Sequence, residues 1–266
     1  MLTMLNYFEL LCEEFSKLSN VEAIVLGGSR AGDNFDEKSD YDLYIYCTSL
    51  PCTEVRKGIL DETCQYTEIG NQFWEFEDDC TLKDGIDIDI LYRNIDDFEK
   101  EIHKVVEEHV AYNGYTTCMW HNLINSKIIY DPKGMYKELQ KKYTIPYPKA
   151  LRDSIITNNL KLLSGMLPSY DGQIAKAVKR GDIVSINHRV AAFMEAYFDI
   201  IFAMNDMTHP GEKRMIEKAI EGAKVLPENF EENINMLYST LFANPDEAVS
   251  VIAKINKELQ EVLKRC

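Results

Sequence analysis

Two short stretches near the N-terminus combine residue types that can bind a phosphorylated substrate and a metal ion. The first is Gly27-Gly28-Ser29-Arg30, which follows an apolar run at 23–26. Glycine has no Cβ, so a turn of this kind can bring backbone N–H groups close to phosphate oxygens. The second is Ser39-Asp40-Tyr41-Asp42-Leu43, which opens an alternating run. Period-two alternation places Asp40 and Asp42 on one face of a strand.

Two neighbouring carboxylates repel each other, which makes them poor core residues and good ligands for a divalent cation. Mg²⁺ usually takes one or two protein carboxylates together with substrate phosphates. A third run, 86–92, also alternates, with Asp87 and Asp89 on one face and isoleucines on the other. Either aspartate could supply a third metal-binding carboxylate from a neighbouring strand. The alternative interpretation of this run is an edge strand with one face in solvent. For the glycine pair, the alternative is a turn without a binding role.

The composition is that of a globular chain with enough apolar residues for a core. Its 266 residues exceed the usual size of one domain, and 45% of them are apolar. The 44 acidic residues outnumber the 29 basic ones, which gives a formal net charge of −15. This excess argues against broad nucleic-acid binding, which needs Lys and Arg to displace counterions, and it suits a cationic small molecule. An acidic cytosolic protein without a charged partner is the plainer explanation.

The sequence also indicates where the protein resides. No apolar window of about 18 residues is present, so we expect no membrane span. The N-terminus lacks the basic region of a signal peptide. The seven cysteines contain no C-x-x-C pair, which favours a reduced, cytoplasmic setting over disulfides or a zinc site.

Hydrophobic periodicity divides the chain into a mixed first part and a helical second part. The first part is predicted to contain helix 4–19, strand 23–26, a polar loop at 33–38, strand 42–46, helix 53–62, strands 65–69, 73–76 and 86–92, helices 97–111 and 115–125, and strand 127–130. Ile145-Pro146-Tyr147-Pro148 predicts a rigid, extended linker. The second part is predicted to contain only helices, at 149–166, 168–180, 182–206, 211–222, 228–242 and 245–264.

The order and spacing of these motifs resemble the polymerase-β-like nucleotidyltransferase superfamily. The layout is similar to small bacterial aminoglycoside nucleotidyltransferase-like proteins and to an uncharacterised set close to them. The matching segments are Gly27-Gly28-Ser29-Arg30, Ser39-Asp40-Tyr41-Asp42-Leu43, Asp89-Ile90-Leu91-Tyr92-Arg93, Arg180-Gly181-Asp182 and His209-Pro210-Gly211-Glu212-Lys213-Arg214. The resemblance covers nearly the whole chain and is strongest over residues 1–95.

The resemblance implies an α+β fold. Residues 1–145 would form a nucleotidyltransferase catalytic domain, a mixed β-sheet with flanking helices, and residues 146–266 a C-terminal α-helical bundle that supplies the acceptor-binding wall of a cleft. The implied reaction moves a nucleoside monophosphate from ATP or another NTP to a hydroxyl and releases pyrophosphate. The implied catalytic and metal-binding residues are Asp40, Asp42 and Asp89, with two Mg²⁺ ions expected and Asp87 competing as the third carboxylate.

Nucleotide binding is implied, by the same resemblance, for Gly27, Gly28, Ser29, Arg30, Ser39 and Lys213. The turn lacks a second basic residue that related turns carry, which leaves its phosphate contacts open. Lys213 and Arg214 could equally form a solvated helix start. Glu195 and Asp199 share a helix face and could bind a cationic acceptor, although a solvated stripe explains their spacing as well.

The expected acceptor is a small hydroxylated molecule, with aminoglycoside-type antibiotics, and hence antibiotic resistance, as one candidate. The alternatives are nucleotidylation of a protein or an RNA, and a non-catalytic nucleotide-binding or antitoxin-like module. The acidic charge argues against RNA, and three mutually repelling carboxylates argue against a module without turnover. A Rossmann dehydrogenase is excluded because no Gly-x-Gly-x-x-Gly follows the first predicted strand. The oligomeric state, monomer or homodimer, stays open.

Overall fold

The computed structural model describes residues 6–32, 39–72 and 75–265. The chain divides into two units, the first comprising Met1–His103 and Asn122–Ile145, and the second comprising Lys104–His121 and Pro146–Cys266. The stretch from 104 to 121, which precedes the predicted linker, therefore groups with the second unit. The predicted loop at 33–38, the first two residues of the predicted helix 4–19 and the first two of the predicted strand 73–76 lie outside the described residues.

The first unit is built on a mixed six-stranded sheet, as predicted. Its strands are β1 (Val21–Leu26), β2 (Tyr41–Cys47), β3 (Cys64–Asn71), β4 (Glu77–Leu82), β5 (Asp87–Arg93) and β6 (Lys127–Tyr130). They lie in the order β3-β4-β5-β2-β1-β6. The β2–β5 pair is parallel, and the other neighbouring pairs are antiparallel.

Helices flank both faces of this sheet. They are α1 (Tyr7–Ser16), α2 (Thr53–Thr63), α3 (Ile95–Val106), α4 (Cys118–Asn125) and α5 (Met135–Tyr143). On one face the core joins α1 and α2 to the strands, with Leu43, Ile45, Ile88 and Ile90 fully buried. Alternation therefore sends these four residues to this face and their neighbours on β2 and β5 to the opposite face. On the other face Tyr46 of β2 contacts aromatic rings of α3 and α5.

One strand of the first part lies later in the chain than predicted. The strand expected at 73–76 is instead β4, which begins at Glu77. The carboxylate of Asp78 on β4 is fully buried, where it pairs with Arg56 of α2 and accepts a hydrogen bond from the Tyr92 hydroxyl at 2.8 Å. A buried carboxylate is tolerated when it is paired and hydrogen-bonded in this way.

The second difference concerns α3, which ends at Val106 although the pattern predicted a helix to 111. The chain enters the left-handed region at His109, with φ +59°, and the N–H of Val110 donates to the carbonyl of Lys104 at 3.0 Å. This bond, which joins residues six positions apart, closes the helix end.

The second unit is helical, as predicted. After the linker it contains α6 (Lys149–Leu163), α7 (Tyr170–Arg180), α8 (Ile183–Met204), α9 (Met215–Gly222), α10 (Phe230–Thr240) and α11 (Pro245–Leu263). Asp182 starts α8 by accepting from the N–H of Ser185 at 3.1 Å. The C-terminal half of α8 is almost entirely buried, which makes α8 the central helix of this unit. No helix in the described part of the chain is long and apolar enough to cross a membrane.

Asp199 on α8 is a structural residue of this unit, which corrects the expectation that it could share an accessible acidic face with Glu195. Its side chain is 1% exposed and accepts from the N–H and hydroxyl of Thr116 at 3.0 and 2.6 Å, and from Asn159 at 3.1 Å. Burial raises the pKa of this carboxyl to about 6, against which the hydrogen bonds from Thr116 and Asn159 act. Asp199 therefore attaches the segment around 116 to α6 and α8.

His209 makes a second buried polar attachment in this unit. Its backbone N–H donates to the Thr117 hydroxyl at 2.7 Å, and its Nδ1 accepts from the N–H of Gly211 at 3.1 Å. The ring contacts those of Tyr115 and Phe202, with centroids 4.6 and 4.9 Å away. Burial lowers the pKa of His209 to about 3, so the ring is neutral in the folded protein.

We expect His209 to make the second unit sensitive to acid. Its folded pKa lies below the ordinary value, so the neutral ring stabilises the fold above about pH 6.5, and this contribution is lost as the pH falls towards 3. Asp199 acts in the opposite sense, because its raised pKa favours the folded state in acid. His209→Asn, which keeps an acceptor for Gly211, should lower the melting temperature at neutral pH but lose less further stability than the wild type on acidification.

Thermal melts of the wild type and the variant from about pH 7 to about pH 4 measure this difference. His188→Asn, at an exposed position on α8, is the matched control for the substitution itself. Parallel pH curves for the wild type and His209→Asn would contradict the assignment of the acid sensitivity to this residue.

Candidate active site

The glycine pair forms a tight turn from β1 towards β2. The N–H of Gly27 donates to the carbonyl of Asp42 at 2.8 Å, and a single 3₁₀ turn, Ser29–Ala31, follows. Gly28 has φ +60° and ψ −155°, a combination that only glycine adopts readily. Gly28 and Ser29 are exposed, so the backbone of the turn faces solvent.

The carboxylate of Asp42 packs directly against this turn. A Cβ added to Gly28 would lie 1.7 Å from Oδ2 of Asp42, and one added to Gly27 would lie 2.6 Å from the ring of Tyr44. Both glycines are therefore required by the close approach of β2, and Gly28 also by its backbone conformation. The two motifs found in the sequence form one continuous structure.

The register of the sheet places Asp89 beside Asp42. The two residues are partners across the parallel β2–β5 pair, so their side chains project from the same face. On the other side of β5, Asp79 of β4 is the register partner of Asp89, and it accepts a hydrogen bond from the Asn71 amide at 2.6 Å. Three aspartates thus occupy one row across three adjacent strands. Asp79 was not among the predicted site residues, because the strand that carries it was placed too early.

The remaining predicted acidic residues lie at the start of these strands. Asp87 is exposed and accepts a hydrogen bond from the Thr81 hydroxyl of β4 at 2.8 Å. Asp40 is half-buried and immediately precedes β2, next to Ser39, whose carbonyl accepts from Nε of Arg30 at 2.6 Å. The structure therefore brings Gly28, Asp42 and Asp89 together, with Asp40 at the entry to the same strand.

Negative charge dominates the face of the sheet that carries Asp42, Asp79 and Asp89. Glu77 of β4 is buried, and its pKa is raised by burial and by the nearby carboxylates of Asp79, Asp89 and Glu75. A carboxyl surrounded by other carboxylates holds its proton more tightly because the charged form is repelled. A divalent cation or a cationic ligand on this face would relieve that repulsion.

Arg93 supports the face from within the same strand. It lies two alternations beyond Asp89, with Nε and Nη2 donating to Glu75 at 2.8 and 2.5 Å. Its guanidinium lies 4.2 Å from the centroid of the Tyr44 ring. The bidentate pair connects the end of β5 to the segment just before β4, and the stacked ring connects it to β2. Arg93 ends the motif Asp89-Ile90-Leu91-Tyr92-Arg93, and no role was predicted for it from the sequence.

The donor set fits a magnesium ion whose coordination is completed by a substrate. Within the described ranges, no three His, Cys, Asp or Glu side chains form a ready-made metal site. Mg²⁺ ordinarily takes only one or two carboxylates from a protein and completes its shell with water and phosphate oxygens. Asp42 and Asp89 supply that number of hard oxygen ligands side by side, next to the exposed turn at Gly28.

Two predicted nucleotide-binding cations occupy different units. Arg30 belongs to the first unit, where its guanidinium lies 4.1 Å from the centroid of the Tyr41 ring. Lys213 is exposed and belongs to the second unit, where it precedes α9. Nearby, burial together with the positive charges of Arg214 and Lys213 lowers the pKa of Lys218.

Comparison with known families assigns the class of protein. Residues 9–113 match the family described as nucleotidyltransferase domain, and residues 116–215 match a domain of unknown function, DUF4037. The chain therefore carries a nucleotidyltransferase domain and is a transferase of this class, which confirms the resemblance found in the sequence. No curated protein matches the chain.

Several solved structures match the chain at low sequence identity. A nucleotidyltransferase-like protein from Exiguobacterium sibiricum 255-15 shares 11% identity, over 95% of this chain and 72% of that one, with a TM-score of 0.43. An aminoglycoside 6-adenyltransferase from Bacillus subtilis shares 12% identity, over 98% and 92% of the two chains, with a TM-score of 0.28. A CCA-adding enzyme in complex with ATP shares 11% identity, over 88% and 69%, with a TM-score of 0.30. With scores this low, the assignment rests on the family match.

We expect Gly28→Ala to abolish pyrophosphate release and to destabilise the first unit by about 1–3 kcal/mol, because the backbone conformation is strained for alanine and the new methyl group displaces the Asp42 carboxylate. Gly134→Ala is the control, since Gly134 also has a positive φ, +70°, but has open space around it. That change should cost about 1 kcal/mol and leave pyrophosphate release intact. Thermal melts and a pyrophosphate assay measure both effects. Full activity in Gly28→Ala would show that the close contact with Asp42 is dispensable.

Proposed function

We propose that this protein uses Mg²⁺ to transfer a nucleoside monophosphate from an NTP to a hydroxyl of a small molecule, with release of pyrophosphate. The observation that carries the proposal is the packing of the Asp42 carboxylate on Gly28, with Asp89 in register beside it. This contact joins an exposed glycine turn, which can approach phosphates, to hard oxygen donors. ATP is the donor we would test first.

Each residue of the turn and the strands has a proposed role. Gly28, Ser29 and Ser39 hold the triphosphate through backbone and hydroxyl groups, which orients the α-phosphorus towards the acceptor oxygen. Gly27, whose N–H is bonded to the carbonyl of Asp42, shapes the turn that presents them. Asp40, Asp42 and Asp89 are the proposed metal ligands. Bound Mg²⁺ would supply charge neutralisation for the phosphoryl group in transfer.

The proposed reaction forms a bond between the acceptor oxygen and the α-phosphorus and breaks the bond from that phosphorus to pyrophosphate. The acceptor proton passes to Asp89 as the general base. We prefer Asp89 to Asp87 as the third carboxylate for two reasons. Asp89 is the register partner of Asp42, whereas Asp87 is engaged with Thr81 at the exposed start of β5.

The charge of the site favours a cationic acceptor. Asp79 extends the negative row beyond the two proposed metal ligands, and Glu77 adds a carboxylate close to this row. The chain as a whole carries −15. An acceptor with amino groups, such as an aminoglycoside-type antibiotic, complements this charge, and antibiotic resistance is then the corresponding biological role. We propose that the second unit selects the acceptor.

The reaction is tested by incubating the purified protein with Mg²⁺, each of the four NTPs in turn, and a panel of aminoglycosides and other hydroxylated antibiotics. Mass spectrometry should find an acceptor heavier by one nucleoside monophosphate. Pyrophosphate release with a mass gain on a protein or an RNA would move the acceptor to that class. Absence of both an adduct and pyrophosphate, together with no metal-dependent NTP binding, would overturn the proposal.

We expect Asp42→Asn and Asp89→Asn each to reduce turnover by on the order of 10³-fold, because each removes a charged oxygen ligand at the reacting phosphate. Both variants should remain folded, since these side chains lie at the surface end of the sheet rather than in the core. Asp87→Asn is the matched control on the same strand and should change turnover by less than about threefold. Pyrophosphate release and thermal melts measure these effects. Equal losses in Asp87→Asn and Asp89→Asn would reject the choice of Asp89.

A further inference from the structure

Tyr41 determines how the two neighbouring aspartates are presented. It stands between Asp40 and Asp42, so alternation sends its ring to the face opposite theirs. Its ring stacks on that of Phe8 of α1, with centroids 4.2 Å apart and planes 9° from parallel. The contacts of the Tyr41 ring therefore fix the orientation of this part of β2 about its own axis.

Arg30 supplies the other contact to that ring. Its guanidinium carbon lies 4.1 Å from the ring centroid. Since Phe8 is stacked on one face at a similar distance, the guanidinium takes the other face. The order Phe8–Tyr41–Arg30 therefore links α1, β2 and the turn after β1 into one stack.

The same Arg30 side chain also holds the backbone just before Asp40. Its Nε donates to the carbonyl of Ser39 at 2.6 Å. At the other end of the motif, the N–H of Gly27 donates to the carbonyl of Asp42 at 2.8 Å. The turn is thus bonded to the strand on both sides of the aspartate pair.

We propose that Arg30 is a positioning residue that orients Asp40 and Asp42 through Ser39 and Tyr41, and not a ligand of the triphosphate. The inference rests on the function proposed above. Arginine suits this role because its Nε–H can donate to a carbonyl while its planar face stacks on an aromatic ring, whereas lysine offers only a point charge. A misplacement of about 1 Å at a reacting centre can cost about 100-fold in rate.

The test compares Arg30→Lys, Arg30→Gln and Phe8→Leu with the wild type. Two quantities are measured: binding of Mn²⁺ alone, followed by electron paramagnetic resonance, and kcat and KM for the NTP. Arg180→Gln is the matched control, because it removes the same charge from an exposed arginine of the second unit. Thermal melts record the folded fraction of each variant.

Positioning predicts that all three variants weaken Mn²⁺ binding by about tenfold and lower kcat by about 10–100-fold, with KM for the NTP changed less than about threefold. Arg30→Lys should fail to restore the wild-type values, although it keeps the charge. Phe8→Leu should also weaken Mn²⁺ binding and lower kcat with little change in KM, although Phe8 lies on α1, away from the aspartates.

Three results would overturn the inference. If Arg30→Lys behaves as the wild type and Arg30→Gln raises only KM, then Arg30 is a phosphate ligand. If the variants lose thermal stability while their folded fraction binds Mn²⁺ normally, the stack is merely structural. If all variants match the wild type, the contacts are dispensable. A wild type that binds neither Mn²⁺ nor NTP would instead reject the proposed function itself.

Discussion

The register of β2 between β1 and β5 is the constraint on which the rest of the first unit depends. A shift of one residue along a strand moves every side chain to the opposite face of the sheet. In the observed register, Leu43 pairs with Ile90 and both point into the core, while Asp42 pairs with Asp89 and both point away from it. The same pairing that buries the core therefore assembles the proposed site. Neither could change without the other.

Carboxylates have different surroundings on the two faces of the sheet. On the core face, Asp78 is matched by the guanidinium of Arg56, and its oxygens also accept from the Tyr92 hydroxyl and the N–H of Gly70. On the other face, Glu77 is buried close to further carboxylates, which contribute to its raised pKa. A buried acid with its own cation serves the fold, whereas acids that repel each other on one face cost stability and are typical of functional sites. Within one strand, β4, this difference separates Asp78, which serves the fold, from Glu77 and Asp79, which lie on the face of the proposed site.

The sequence was informative wherever the signal is local. Three patterns depend only on neighbours along the chain. Glycines after an apolar run predicted the turn, aspartates two residues apart predicted β2, and apolar residues at helical spacing predicted the helices of the second unit. The errors involve partners that are distant in sequence. The strand of Asp78 was placed too early, and its buried partner Arg56 lies 22 residues away along the chain. Asp199 was taken for an accessible acid, whereas its partner Thr116 lies 83 residues away. The grouping of 104–121 with the second unit likewise has no local signal.

The same charges also bear on which acceptor the site would accept. Mg²⁺ needs only one or two protein carboxylates, and in the proposed site Asp42 and Asp89 would supply them. Asp79, in the next strand of the same row, and the buried Glu77 add negative charge that metal binding alone does not require. Such an excess would repel the phosphates of an RNA and attract amino groups, because like charges brought together disfavour the wrong partner as strongly as opposite charges favour the right one. The charge pattern of the strands therefore favours a cationic small molecule over a nucleic acid as the acceptor.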